Sequence, residues 1–86
     1  MHLVGRDKLE DVKLADPAYR CWVNAWVSEL IRAHWRSKED IYEHFPKAVE
    51  VTDNVFLFKV ENSSFSIETL FCFNQLAVII TSVKEN

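Results

Sequence analysis

The 86-residue chain contains one glycine, two prolines, two cysteines and one methionine. So few chain breakers, with 49% apolar and 27% charged residues, exclude a disordered or low-complexity segment. Cys21 and Cys72 lie far apart, with no CxxC spacing and no neighbouring histidine, so neither a zinc site nor a redox pair is indicated. Both are expected to be buried free thiols. The longest apolar run, Leu76 to Ile80, is far short of the ~20 residues that cross a bilayer. The opening MHLVGRDKLED places charges where a signal peptide needs an apolar core, so a soluble, cytoplasmic protein is expected. A basic surface is missing too: the net charge is -3, which gives no footprint of phosphate neutralisation. Direct binding of nucleic acid is therefore not expected, and the acidic surplus is too small for a nucleic-acid mimic. The sharpest absence is local. Between Val60 and Val83 there is no Lys, Arg or His.

What is present fits a single domain over residues 1–86, a size at which only about 60–65% of the unfolded surface can be buried. Three Trp and six Phe supply the core. His2 to Val4 has the length of a short strand, with Gly5 as the break, and Arg6 to Ala15 places Leu9 and Val12 at helical spacing. Asp16-Pro17 combines an N-cap side chain with a residue of preset φ at the first helical position, so a second helix starts here. Along it Tyr19, Trp22, Val23, Trp26, Val27, Leu30, Ile31 and His34 recur at three and four, an apolar stripe of about five turns. Trp22 and Trp26, one turn apart, have the spacing of a stacking platform for bases. Their place on the stripe and the absence of interleaved basic residues favour core packing.

Ser37-Lys38-Glu39-Asp40 has the form of a capping box and predicts a short third helix that Pro46 stops. His34 and His44 flank this turn without a third ligand, so no metal site is expected, and no cofactor. Ala48 to Val51 is a brief strand, and Asp53-Asn54 turns into the stretch Asn54 to Lys84, which reads as three consecutive antiparallel strands. Within it Phe65, Ile67, Thr69, Phe71 and Phe73 alternate with Ser66, Glu68, Leu70 and Cys72. The aromatic face is predicted to pack on the long helix. Asn74-Gln75 would close a tight hairpin into Leu76 to Val83. The expected fold is α+β, with two to three N-terminal helices on one face of an antiparallel β-meander.

Three fragments in order carry a family resemblance: MHLVGRDKLED, then WRSKEDIYEHFPKA from Trp35 to Ala48, then NVFLFKVEN from Asn54 to Asn62. Together they resemble the HigB-type toxins of bacterial type II toxin-antitoxin systems, in the RelE-like superfamily. The resemblance implies a small α+β protein that cleaves mRNA on the ribosome and is silenced by an antitoxin. Such cleavage needs a cation to stabilise the phosphate and a titratable group to move protons. In the family an Arg follows the motif ending in Asn, and a Thr-His-x-x-Tyr stretch follows the last strand. Here the Arg position falls on Phe65, or on Ser66 with a slip of one, and the His position falls at or beyond Asn86. Lys84 is the one cation left in that corner, with Glu61, Glu68 and Glu85 as available acids. Losing one transition-state donor typically costs ~10²- to 10³-fold in rate, so little nuclease activity is expected.

The expected function is therefore that of a catalytically silent HigB-like protein acting by protein-protein binding. Its partner would be an antitoxin or a host nuclease or defence complex, the latter suiting a phage or mobile-element inhibitor. Val55, Leu57, Lys59, Leu70 and Lys84 are the candidate binding surface. The alternative is an active, ribosome-dependent mRNA interferase toxin, an endoribonuclease with its catalytic groups placed elsewhere.

Overall fold

All helices of the chain lie against one face of a five-stranded sheet, as the alternation in Asn54 to Lys84 predicts; the computed structural model describes residues 1–85. Strand β1 is His2–Val4, followed by a 3-10 turn over Arg6–Leu9 and helix α1 at Glu10–Ala15. Helix α2 is Pro17–Arg32 and α3 is Lys38–His44. Strands β2 (Val49–Thr52), β3 (Val55–Lys59), β4 (Phe65–Cys72) and β5 (Ala77–Glu85) complete the sheet. The spatial order is β1-β5-β4-β3-β2.

The long helix begins where the sequence places it: the Asp16 carboxylate accepts the Ala18 N–H at 2.7 Å and Pro17 follows at the first position. Its stripe buries Val23, Trp26, Val27 and Leu30, but it ends about one turn short of His34. Ile31 is 45% exposed and His34 is solvent-facing, because the chain turns extended at Ala33 and brings Trp35 into the core instead. The capping box before α3 is half made. Ser37 donates and accepts nothing through its side chain as a cap, while Asp40 accepts the Arg36 N–H at 2.9 Å.

Facing the helices, the sheet presents Phe56 and Phe58 from β3, Ile67, Thr69 and Phe71 from β4, and Val78 and Ile80 from β5, all buried. Phe71 sits at the centre, edge-on to Phe56 (centroids 5.5 Å apart) and close to Trp35, Phe58 and Phe73. Thr69 is the one buried polar residue of this core among those described, and its hydroxyl donates to the Phe56 carbonyl at 3.1 Å.

The expected all-antiparallel meander is corrected in one place. Strands β2 to β5 pair antiparallel, but β1 runs parallel to β5, with His2, Leu3 and Val4 opposite Ala77, Val78 and Ile79, so the sheet is mixed. The direction is set at the first residue. The Met1 ammonium donates to the carbonyls of Leu30, Ile31 and Ala33, at the end of α2 where unpaired carbonyls and the helix dipole favour a cation. From that anchor β1 runs alongside β5, and the His2 N–H bonds Leu76 O at 2.7 Å.

Gly5 then turns the chain with φ 91°, and a side chain there would bring a Cβ to 2.7 Å from the Ile80 carbonyl oxygen. Both facts demand glycine. The β4–β5 connection also differs from expectation. It is a short 3-10 turn over Phe73–Gln75, and the left-handed residue is Leu76 at φ 49°, not an Asn or Gly. Asn54 and Asn62 hold the other two non-glycine left-handed positions among the described residues, as their short amide side chains allow.

Candidate functional site

No helix among the described residues covers the second face of the sheet. Strand register arranges this face in rows. Val55, Leu70, Ile79 and Val4 stand opposite one another across β3, β4, β5 and β1, forming one apolar row. Beside it Val49, Leu57, Glu68 and Ser82 form the next row, and Lys59, Ser66 and Lys84 the one after. Cys72, Ala77 and His2 line the opposite margin. Val4, Val49 and Val51 are 44%, 56% and 50% exposed, while Val55, Leu57 and Leu70 are half-buried by their own neighbours. Three of the five candidate residues, Val55, Leu57 and Leu70, thus fall together in one apolar patch. The sequence reading missed Val4, Ile79, Val49 and Val51, which extend it to both edges of the sheet; β1 had no assigned partner strand from which to read that row.

The two remaining candidates, Lys59 and Lys84, flank Ser66 at the polar end of the same face. They are not equivalent. Lys84 Nζ lies 3.0 Å from Glu68 Oε1, and the Thr81 hydroxyl donates to Glu68 Oε2 at 2.8 Å. A bulge between Glu68 and Thr69 brings both Thr81 and Ser82 to this carboxylate, with Ser82 Oγ at 3.4 Å from Oε2. The Lys84 ammonium, then the Thr81 hydroxyl, hold the Glu68 carboxyl below its ordinary range. Lys59 is exposed and forms no ion pair among the described residues.

The positions onto which the resemblance would carry the nuclease Arg, Phe65 and Ser66, hold no cation. Phe65 turns toward the helices and packs edge-on to Tyr19 with centroids 6.0 Å apart. Ser66 sits on the uncovered face between the two lysines. Asn86 lies outside the described residues. Glu61 is exposed at the end of β3, and Glu85 accepts a hydrogen bond from Ser64 Oγ at 3.3 Å. His44 bonds the Asp40 carbonyl through Nδ1 at 3.1 Å and rests against Trp35, so it is engaged within its own helix. Among the described residues no group of three or more His, Cys, Asp or Glu is placed to hold a metal ion.

Both cysteines are free, but neither is buried. Cys21 is exposed on the solvent side of α2, one position off the stripe, and Cys72 is half-exposed on the uncovered sheet face. No helix among the described residues is long and apolar enough to cross a membrane. The sequence matches no protein-family model and no curated protein. What the geometry offers, among the described residues, is an apolar sheet face without a helix over it and with the unpaired Lys59 at its polar end.

Proposed function

We propose that this chain is a catalytically silent, HigB-like protein that works in the cytoplasm by binding another protein through the uncovered face of its sheet. One observation carries the reading: the apolar row Val55, Leu70, Ile79, Val4 has no cover among the described residues, while of the two lysines that flank Ser66 on the same face Lys84 is paired with Glu68 at 3.0 Å. A fold can persist while the grafted site changes. A charge already engaged with a carboxylate and two hydroxyls is a poor stabiliser of a transferring phosphate. An apolar row four strands wide supports a protein contact, because burying such side chains is the main favourable term in association. The partner is an antitoxin or a host nuclease or defence complex.

Two measurements test this together. Expression of the chain without any antitoxin, followed by growth and mRNA integrity, is expected to show neither arrest nor in-frame mRNA cuts. Capture from host lysate is expected to retain one protein partner, lost when Leu70→Asp and Val55→Asp are introduced with the fold intact by circular dichroism. Rapid arrest with mRNA cleavage that Lys84→Ala or Lys59→Ala abolishes would sink the binding reading in favour of an active interferase.

A further inference from the structure

Strand β2 is shorter than β3, and its pairing stops at Val49 opposite Leu57. Beyond that point β3 continues through Phe58 and Lys59 without an edge neighbour. The chain between α3 and β2 passes over the gap through Phe45, Pro46 and Lys47, leaving a notch of about 500 Å³. That volume lies within the 300–1,000 Å³ common to small-molecule sites.

The notch is aromatic within and cationic at the rim. Trp22, Phe45 and Phe58 line it, and the Trp22 indole runs nearly parallel to that of Trp26, with centroids 6.3 Å apart and 13° between planes. Trp26 is core, 2% exposed, but Trp22 is only half-buried and lines the notch. The tryptophan pair singled out by sequence is thus divided, one ring in the core and one offered as a platform. Trp26 also packs on Phe58 at 5.4 Å, and its buried indole N–H has no acceptor among the described residues.

Lys47 and Lys59 stand at the rim against the single carboxylate of Glu61, and neither lysine forms an ion pair among the described residues. On a chain of net charge -3 this is a locally positive opening. A planar ring for the platform and one anionic group for the lysines together describe a nucleotide. Glu61 and the Asn62 amide add hydrogen-bonding groups for a base edge. Two lysines suit a single phosphate; among the described residues no further Lys or Arg lines the notch to track a strand, and its one histidine, His44, is bonded to the Asp40 carbonyl.

We propose that this notch binds a mononucleotide, with the base stacked on Trp22 and the phosphate held between Lys47 and Lys59. The site is separate from the apolar row of the sheet, so it stands or falls independently of the protein-binding reading. Lys59 borders both surfaces, whereas Lys47 belongs to the notch alone.

The test is an NMR titration of the full chain with AMP and GMP, following the indole N–H signals of its tryptophans and the amides of residues 44–48 and 58–62. Saturable upfield movement of the Trp22 signal is expected. Lys47→Ala, an exposed position that leaves the core untouched, should weaken binding about tenfold, as loss of one charge-assisted contact does. Adenosine and ribose 5-phosphate, each lacking one half of the ligand, should bind at least as weakly as that variant binds AMP. The proposal is overturned if Trp22 does not respond, if Lys47→Ala has no effect, or if ribose 5-phosphate matches AMP. Tighter binding of a short RNA than of either nucleotide would also overturn it, by pointing to a strand-binding surface.

Discussion

Lys84 grips Glu68 diagonally across the β4–β5 pair, Nζ to Oε1 at 3.0 Å, and this contact leaves Lys59 as the unpaired cation of the row Lys59, Ser66, Lys84 among the described residues. Both side chains reach solvent, so the pair is screened and its worth to stability is small. Lys84→Ala is expected to lower the melting temperature by no more than a few degrees, measured by thermal denaturation at moderate salt. It should leave mRNA integrity in expressing cells unchanged. Arrest and mRNA cleavage by the unaltered chain that this substitution abolishes would overturn the binding reading.

Acid should reveal the two carboxylates that are held in hydrogen-bonded pairs. Glu50 accepts from Lys38 at 2.9 Å and from the Asn54 amide at 3.1 Å, tying α3 to the β2–β3 hairpin. Lys38 first, then the Asn54 N–H, depress its carboxyl below the ordinary value of 4.5. Glu68 is depressed in the same direction by Lys84 and Thr81. In the acid range the unfolded chain therefore binds more protons than the folded one, and stability rises with pH. The contribution is complete above the unfolded value of 4.5 and is lost as pH falls through the lower folded values. Urea midpoints measured from pH 6 downward should fall in that window, and less steeply in a Glu50→Gln, Glu68→Gln double variant.

Gly5 admits no side chain. Its φ of 91° is unfavourable for other residues, and a Cβ would meet the Ile80 carbonyl at 2.7 Å, a backbone atom that cannot swing aside. Gly5→Ala is expected to destabilise by about 1–3 kcal/mol, the scale of a strained backbone position, read as a shift in the urea midpoint at unchanged m-value.

Phe71 is the aromatic residue on which the others converge, 1% exposed, with Trp35, Phe56, Phe58 and Phe73 around it. Truncation to Ala removes the ring and leaves a cavity that a sheet strand cannot collapse into. The expected cost is about 3–5 kcal/mol, a large share of the about 5–15 kcal/mol that holds a small domain together. Hydrogen exchange should show the core amides of β3 and β4 losing most of their protection. Leu57→Ala, on the uncovered face, should leave them protected.

The helical stripe and the strand alternation made most of this architecture legible in the sequence, because periods of 3.6 and 2 report directly which side chains share a face. The helix start at Asp16 and the turn at Asn54 were equally plain, since each rests on local chemistry. The partner of β1 was not legible. Three residues carry too little pattern to name a neighbour or a direction, and the anchor is a main-chain ammonium that no side-chain pattern records. Leu76 as the left-handed residue was hidden because leucine does not mark turns. Of the candidate surface, Val55, Leu57 and Leu70 follow from alternation alone, whereas the notch beside Trp22 depends on β2 ending opposite Leu57, a matter of strand length and not of residue type.

The parallel pairing of β1 with β5 has a kinetic consequence. His2 meets Ala77, so the edge of the sheet is closed by segments from opposite ends of the described chain. Contacts this distant in sequence form only after the entropy of closing a very long loop has been met, which places them late and makes them slow. While the chain is being synthesised, its first strand must wait for its last. Until then Leu3 and the end of α2 lack their native cover, and the nascent protein is at its most vulnerable to proteases and to misplaced pairing along β4, the strand that β5 will later cover.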